Sequence, residues 1–204
     1  MLLKHGGRDA GALEAFEHEL AVHALILFAR RTAGITELSE FFRTTYARLV
    51  PQGEARGLPE AETAGLIYAP DSAITTREEF AGMLLKCRPR DTLLKSTERG
   101  PHRDDLELLL DGRPAKQFAS EGQQRCLVIA LRLAQAAYYK AKGGVTPVML
   151  CDDVLGELDP ARRERFWASL DPATAGQVIA TGTSRPAAGG GWQVLQVHDG
   201  RIFP

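Results

Sequence analysis

The chain of 204 residues is 44% hydrophobic and 25% charged with a formal net charge of −1, a composition of an ordinary soluble globular protein of one or two domains that excludes a disordered or fibrous one. Its longest nearly unbroken apolar stretch, Ala21 to Ala29, contains His23 and falls far short of the roughly 20 residues that span a bilayer, so no membrane segment is expected. The near-neutral balance also excludes a uniformly basic nucleic-acid coat, and any DNA or RNA contact has to come from a local patch.

The amino terminus, MLLKHGG, runs into a charged amphipathic segment without a secretory apolar core, which points to the cytoplasm. Three cysteines, Cys87, Cys126 and Cys151, are too widely spaced for a metal knuckle or a disulfide framework and read as reduced, mostly buried thiols. From Ala12 to Thr32, Leu13, Phe16, Leu20, Ala24 and Leu27 recur at helical spacing. A second helical pattern runs through Leu38, Phe41, Phe42, Tyr46 and Leu49 to the Pro51, Gly53, Gly57 and Pro59 cluster, and a break near Gly34 predicts an antiparallel helix pair. Leu66 to Ala69 is a short strand candidate, and Thr76 to Arg88 a third helix carrying Phe80, Leu84 and Leu85. Composition shifts to charge between Arg90 and Asp105, where the string GPHRDD stands at 100 to 105.

Leu106 to Leu110 enters a turn at Asp111-Gly112, with Pro114 to Phe118 as the expected returning arm. Between Gln123 and Lys142, Leu127, Ala130, Leu131, Ala134, Ala137, Tyr138 and Ala141 trace one helical face, and Gly143-Gly144 ends it. Pro147 to Cys151 is a continuous apolar run ending in Asp152-Asp153, the pattern of a strand buried on both faces of a parallel sheet. Asp159-Pro160 supplies an N-cap and first-turn proline for a helix through Phe166, Trp167 and Leu170. Gln177 to Thr181 is a further buried strand, and Trp192 to Phe203 a terminal hairpin turning at His198-Asp199-Gly200. Helices alternating with buried strands predict an α/β fold in this half. The only low-complexity stretch is the loop Gly189 to Gly191.

Three segments in fixed order carry the chemistry: SEGQQR at 120 to 125 opening a helix, PVMLCDD at 147 to 153 closing a strand, and ELD at 157 to 159. A carboxylate at the carboxyl end of a buried strand is well placed to hold Mg²⁺ through its water shell, which makes Asp152 the metal candidate. Asp153, one residue further, is placed to orient or deprotonate an attacking water; taken alone, the pair also reads as solvated loop carboxylates. Ser120 with the amides of Glu121 and Gly122 lies at a helix N-terminus that favours phosphate, or Ser120 is a plain N-cap. Asp159 is either an N-cap or a loop carboxylate at an interface.

Together these segments resemble the signature motif, Walker B strand and D-loop of ABC-type ATPases. With FASEGQQR, GPHRDDLELLLDGRPA and DDVLGELDPARR they are most similar to the RecF family of DNA replication and recombinational repair proteins, related to structural-maintenance and Rad50 heads. The resemblance is dense from about Arg99 to Leu170 and diffuse over residues 1 to 90. It implies the C-terminal part of an ABC-type (SMC/Rad50-like) P-loop ATPase head, residues 99–204, with an α-helical second lobe at 1–98. It also implies ATP-driven homodimerisation on DNA at gaps and single-strand to double-strand junctions, slow hydrolysis, a place in DNA damage and the SOS response, and the partners RecO and RecR. By position, Ser120, Gly122 and Gln123 would contact the γ-phosphate of ATP held by an opposing subunit, Asp152 would serve Mg²⁺, Asp153 would serve water, and Asp159 would bridge the interface. Thr181 or Thr183 would occupy the switch-loop region, where many ABC proteins have histidine. Glu121 departs from the glycine or basic residue often found there and should weaken phosphate binding unless it points away. For His102 and Arg103, a structural salt-bridged turn and a nucleotide or DNA contact both stand.

No G-x-x-x-x-G-K-[ST] occurs in the 204 residues. In the RecF family that loop lies near the N-terminus, before the helical lobe, so the chain is expected to be the carboxyl-terminal part of a longer protein and to bind ATP poorly alone. The helix from Glu121 to Lys142 is about 30 Å long, while the strand from Thr146 to Asp152 recovers about 20 Å; Ser120 and Asp152 are therefore expected to share a phosphate only across a two-fold dimer. Two other readings are a non-hydrolysing DNA-repair scaffold with a degenerate head, and the nucleotide subunit of a membrane transporter, which GPHRDD and the missing histidine disfavour.

Overall fold

The computed structural model describes residues 10–50, 62–73, 75–153, 158–170, 176–183 and 191–203. The amino-terminal heptapeptide, the Pro51 to Pro59 cluster, Glu157 and Gly189 lie outside them. The described elements are α1 (Ala10–Leu49), β1 (Ala64–Ala69), α2 (Arg77–Leu94), β2 (Asp105–Leu110), β3 (Arg113–Pro114), α3 (Ala115–Phe118), α4 (Glu121–Gly143), β4 (Met149–Cys151), α5 (Pro160–Ser169), β5 (Val178–Ala180), β6 (Gln196–His198) and β7 (Arg201–Phe203). They form three small sheets, ordered β1-β2-β3, β4-β5 and β6-β7, which is the α/β content expected. Among the described residues no helix is long and apolar enough to cross a membrane.

The chain divides into two compact units that are not consecutive stretches: 1–37 with 66–107, and 38–65 with 108–204. In the first, Ala21 and Ala24 of α1 pack with Phe80 and Leu84 of α2, and Arg88 forks onto Glu17 with bonds of 2.9 and 2.5 Å. Thr76 and Glu79 close a capping box at the start of α2. The GPHRDD segment here is a structural turn. Asp104, with a side chain only 8% exposed, accepts from Arg31 Nη1 at 2.6 Å, the Asp71 N–H at 3.0 Å and the Tyr68 hydroxyl. Gly100 enters this turn at φ +132°, a conformation that side chains resist, and its N–H donates to Asp71. His102 is bonded to the Thr97 carbonyl at 2.8 Å.

In the second unit the buried side chains Phe42, Tyr46, Leu49, Leu127, Ala130, Ala134, Phe166 and Leu170 form the core, and Phe41 meets Tyr138 edge-on at 5.7 Å. Of the stripe foreseen along α4, Leu127, Ala130 and Ala134 are buried, Leu131 and Tyr138 half-buried, and Ala137 and Ala141 exposed; Cys126, Ile129, Leu133 and Ala136 complete the buried face instead, and the helix ends at Gly144 in the left-handed conformation. Asp111-Gly112 and Asp199-Gly200 both take positive φ at two successive positions, the two-residue hairpin turn whose twist matches that of its strands.

Four local expectations are corrected. There is no helix pair around Gly34: α1 is one continuous helix, because a lone glycine costs only about 1 kcal/mol in a helix and no proline is present to break it. Helix α2 continues past Arg88 through Pro89 to Leu94; the Thr92 hydroxyl bonds the Arg88 carbonyl, and buried Asp91 receives the Glu98 N–H beyond the helix end. The arm returning from Asp111-Gly112 is two residues long and then coils into α3. Strand β4 is not covered on both faces: Leu150 is 74% and its register partner Ile179 51% exposed. The cysteine reading holds, since all three thiols are free and Cys126 and Cys151 are buried.

Candidate functional site

The second unit contains Ser120, Gly122, Gln123, Asp152, Asp153, Asp159 and Thr181. At the start of α4, Ser120 is the N-cap: its Oγ accepts from the Gln123 N–H at 3.3 Å, while its own N–H donates to Gln123 Oε1 at 2.8 Å. Gln123 Nε2 donates to Glu62 Oε1 at 2.8 Å, and the buried Tyr46 hydroxyl donates to Glu62 Oε2 at 2.9 Å. Burial, then the hydrogen bond to Glu62, pushes the Tyr46 phenol far above its ordinary value, so it remains a donor. The Gln123 amide is thus engaged at both ends within the chain. Glu121 pairs with Arg125 one turn along at 2.8 Å, which offsets its charge on the exposed helix surface.

The second cluster lies at the carboxyl edge of the parallel pair β4-β5. The register sets Met149, Leu150 and Cys151 opposite Val178, Ile179 and Ala180, which brings Asp152 level with Thr181. Thr181 Oγ1 donates to Asp152 Oδ1 at 2.5 Å and accepts from the Asp153 N–H at 3.0 Å. Asp153 holds φ +46°, a conformation uncommon outside glycine and concentrated at functional sites. Both aspartates are exposed. Of the two threonines foreseen, Thr181 makes these bonds.

The third cluster is the start of α5. Asp159 is the N-cap, its Oδ1 accepting from the Arg162 N–H at 2.9 Å, with Oδ2 3.4 Å from Arg162 Nη1. The capping half of its two readings is realised. Arg162 itself is 8% exposed, and a Cβ added at Gly122 would lie 3.1 Å from its Nη1. The first turns of α4 and α5 therefore meet through this guanidinium. Cys126 lies in the same surroundings, its thiol pushed up to about 11 by burial against the opposing pull of Arg162.

Sequence reasoning missed Arg162, Glu62 and Tyr46. A signal existed for the first: Arg162 precedes buried Phe166 and Leu170 at steps of four, so the apolar face of α5 begins with an arginine. Nothing local marks Glu62, whose role depends on distant partners.

One exposed carboxylate beside a hydroxyl is the donor set of a cation that keeps most of its water and takes other ligands from phosphate. Among the described residues no group of three or more His, Cys, Asp or Glu could hold a metal unaided. Asp152 beside the Thr181 hydroxyl fits Mg²⁺ brought with a phosphate ligand.

No protein-family model matches the chain. Curated relatives do, each named DNA replication and repair protein RecF: that of Moorella thermoacetica is 37% identical over 181 residues, 89% of this chain and 45% of its own length. The chain is related to RecF. The Heliobacterium modesticaldum RecF is 33% identical over 88% of this chain and 47% of its own length, and the Myxococcus xanthus RecF 34% identical over 98% and 54%. The chain spans about half the length of the RecF relatives it matches. A solved structure of the recombination mediator protein RecF-ATPrS in the RecFOR pathway matches with a TM-score of 0.71 and 25% identity, over 98% of this chain and 53% of that one. The fold is accordingly the α/β fold of part of a RecF-type ATPase head.

Proposed function

We propose that this chain carries the signature-helix and carboxylate part of a RecF-like DNA replication and repair ATPase. It binds ATP with Mg²⁺, closes as a homodimer on DNA at gaps and single-strand to double-strand junctions, hydrolyses slowly, and works in the cytoplasm with RecO and RecR. The observation that carries this reading is the bonding of Thr181 to both Asp152 and Asp153 at the carboxyl edge of β4-β5.

Phosphoryl transfer needs little covalent help from protein; it needs positioned charge and an oriented nucleophile. Asp152, its Oδ1 steadied by the Thr181 hydroxyl, would hold Mg²⁺, which when bound supplies the positive charge that offsets phosphate oxygens. Asp153, its backbone pinned to the same threonine, orients and deprotonates the attacking water. Ser120 and Gly122 present the N–H groups of the first turn of α4 to a phosphate held by the opposing subunit, and Asp159 meets that subunit at the interface. Gln123 supports the turn through its bonds to Ser120 and Glu62 and contributes to the phosphate contact through its backbone. A non-hydrolysing DNA-binding scaffold with a degenerate head is the second reading.

The test supplies the chain with the remaining half of the Heliobacterium relative and follows phosphate release and ATP-dependent dimerisation. Asp153→Asn is expected to preserve dimerisation and lower turnover by about 10²–10⁴-fold; unchanged turnover removes its role. Absence of turnover in the parent, with DNA binding retained and falling steeply with salt, selects the scaffold.

A further inference from the structure

Arg162 has no part in the scheme above, yet its position is costly. Its side chain is 9% exposed, and among the described residues its Nε has no hydrogen-bond partner and its guanidinium pairs with Asp159 at 3.4 Å. Its Nη1 stands against Gly122 in the first turn of α4, where the positive end of the helix dipole opposes a cation. Burying a guanidinium so poorly satisfied is not a route to stability, since replacement of buried ion pairs by apolar groups is often neutral or stabilising. The contacts show what the residue does accomplish. Asp159 accepts from the Arg162 backbone N–H as the cap and pairs with its guanidinium through the other oxygen, and the guanidinium borders the space left by the absent Gly122 side chain. Through it, the turn bearing Ser120 and the cap bearing Asp159 are tied to one rigid group.

We infer that Arg162 is a positioning residue that locks the first turns of α4 and α5 in register, so that Ser120, Gly122 and Asp159 meet an opposing subunit as one surface. A side chain at Gly122 would require the Arg162 guanidinium to give by a few tenths of an ångström. This role rests on the reading of that edge as the nucleotide-facing edge of a dimer.

Two measurements separate it from a merely structural role. The thermal midpoint of the chain reports folding, and ATP-dependent dimerisation, with the remaining half of the Heliobacterium relative supplied, reports positioning. Arg162→Met is expected to leave the midpoint unchanged or raised, because Asp159 is half exposed and remains solvated when unpaired, yet to weaken dimerisation at least tenfold. Arg162→Lys, which keeps the charge but loses the fork, is expected to weaken it as well. Gly122→Ala lowers the midpoint in the parent and not in an Arg162→Ala background, the signature of a steric pair. Dimerisation at parental strength in Arg162→Met overturns the inference, as does a midpoint that falls in step with dimerisation. A parent that never dimerises with ATP overturns the functional reading and this role with it. The Gly122→Ala coupling, read in the chain alone, then still reports whether the two turns are tied.

Discussion

Two Asp-Asp pairs stand in this chain, and they illustrate opposite fates of one dipeptide. Asp104, opening the pair at 104 and 105, has a side chain only 8% exposed and receives an arginine, a phenol and a backbone amide. Its lone pairs are spent on holding a turn. Asp152, opening the pair at 152 and 153, is exposed and, among the described residues, receives one hydroxyl, from Thr181. Composition and charge are the same; the number of donors supplied by the surroundings differs. A carboxylate saturated with internal donors is architecture, and one left under-coordinated at the carboxyl edge of a parallel pair is available to a ligand.

The comparison breaks most plainly on stability. Asp104→Ala is expected to cost about 3 kcal/mol, because it strips the carboxylate from Arg31, Tyr68 and the Asp71 amide together, whereas Asp152→Ala costs about 0.5 kcal/mol or less. Urea denaturation of the two variants decides it, and equal losses would erase the distinction. Thr181→Val is an intermediate case. It removes the donor to Asp152 and the acceptor of the Asp153 N–H, with an expected loss of about 1 kcal/mol and a larger effect on any Mg²⁺-dependent activity than on folding. Equal effects on both would make Thr181 an ordinary structural residue.

Glu79 sharpens the rule at its smallest scale. It is fully exposed yet well supplied with donors: the Thr75 and Thr76 amides and the Thr75 hydroxyl hold its carboxyl below the ordinary value, backbone bonding to Thr75 being the largest cause. A depressed carboxylate contributes stability that is present above its unfolded value and is lost as pH falls through the folded one. Glu79→Gln is therefore expected to flatten the acid limb of the pH-stability curve slightly and to leave neutral pH nearly unchanged. A variant with the parental acid limb would show that donors without burial do not matter here.

Local pattern was a good guide wherever one residue's role depends on its near neighbours. Ser120 and Asp159 as caps, the helical spacing of α4, its stop at Gly144 and both Asp-Gly turns rest on interactions within four residues. The order of the three chemical segments and the likeness to RecF were also present in the residues alone. At Gly34 an end was expected that a lone glycine, at about 1 kcal/mol, does not enforce, and α2 runs past its expected end at Arg88 through Pro89 to Leu94. Leu150 was read as buried because a continuous apolar run looks the same whether both faces of a strand are covered or one.

The sequence by itself determined most of the secondary elements, the caps and the ordered carboxylates of this protein, because hydrogen bonds between near neighbours and helical or alternating periodicity are local properties. Only the tertiary structure decided that Asp104 is a hub, that Thr181 reaches Asp152, that Glu62 ties Tyr46 to Gln123, and that Arg162 joins the starts of α4 and α5. Each of those depends on how many donors and how little water converge at a point, and such convergence brings together residues far apart in the chain.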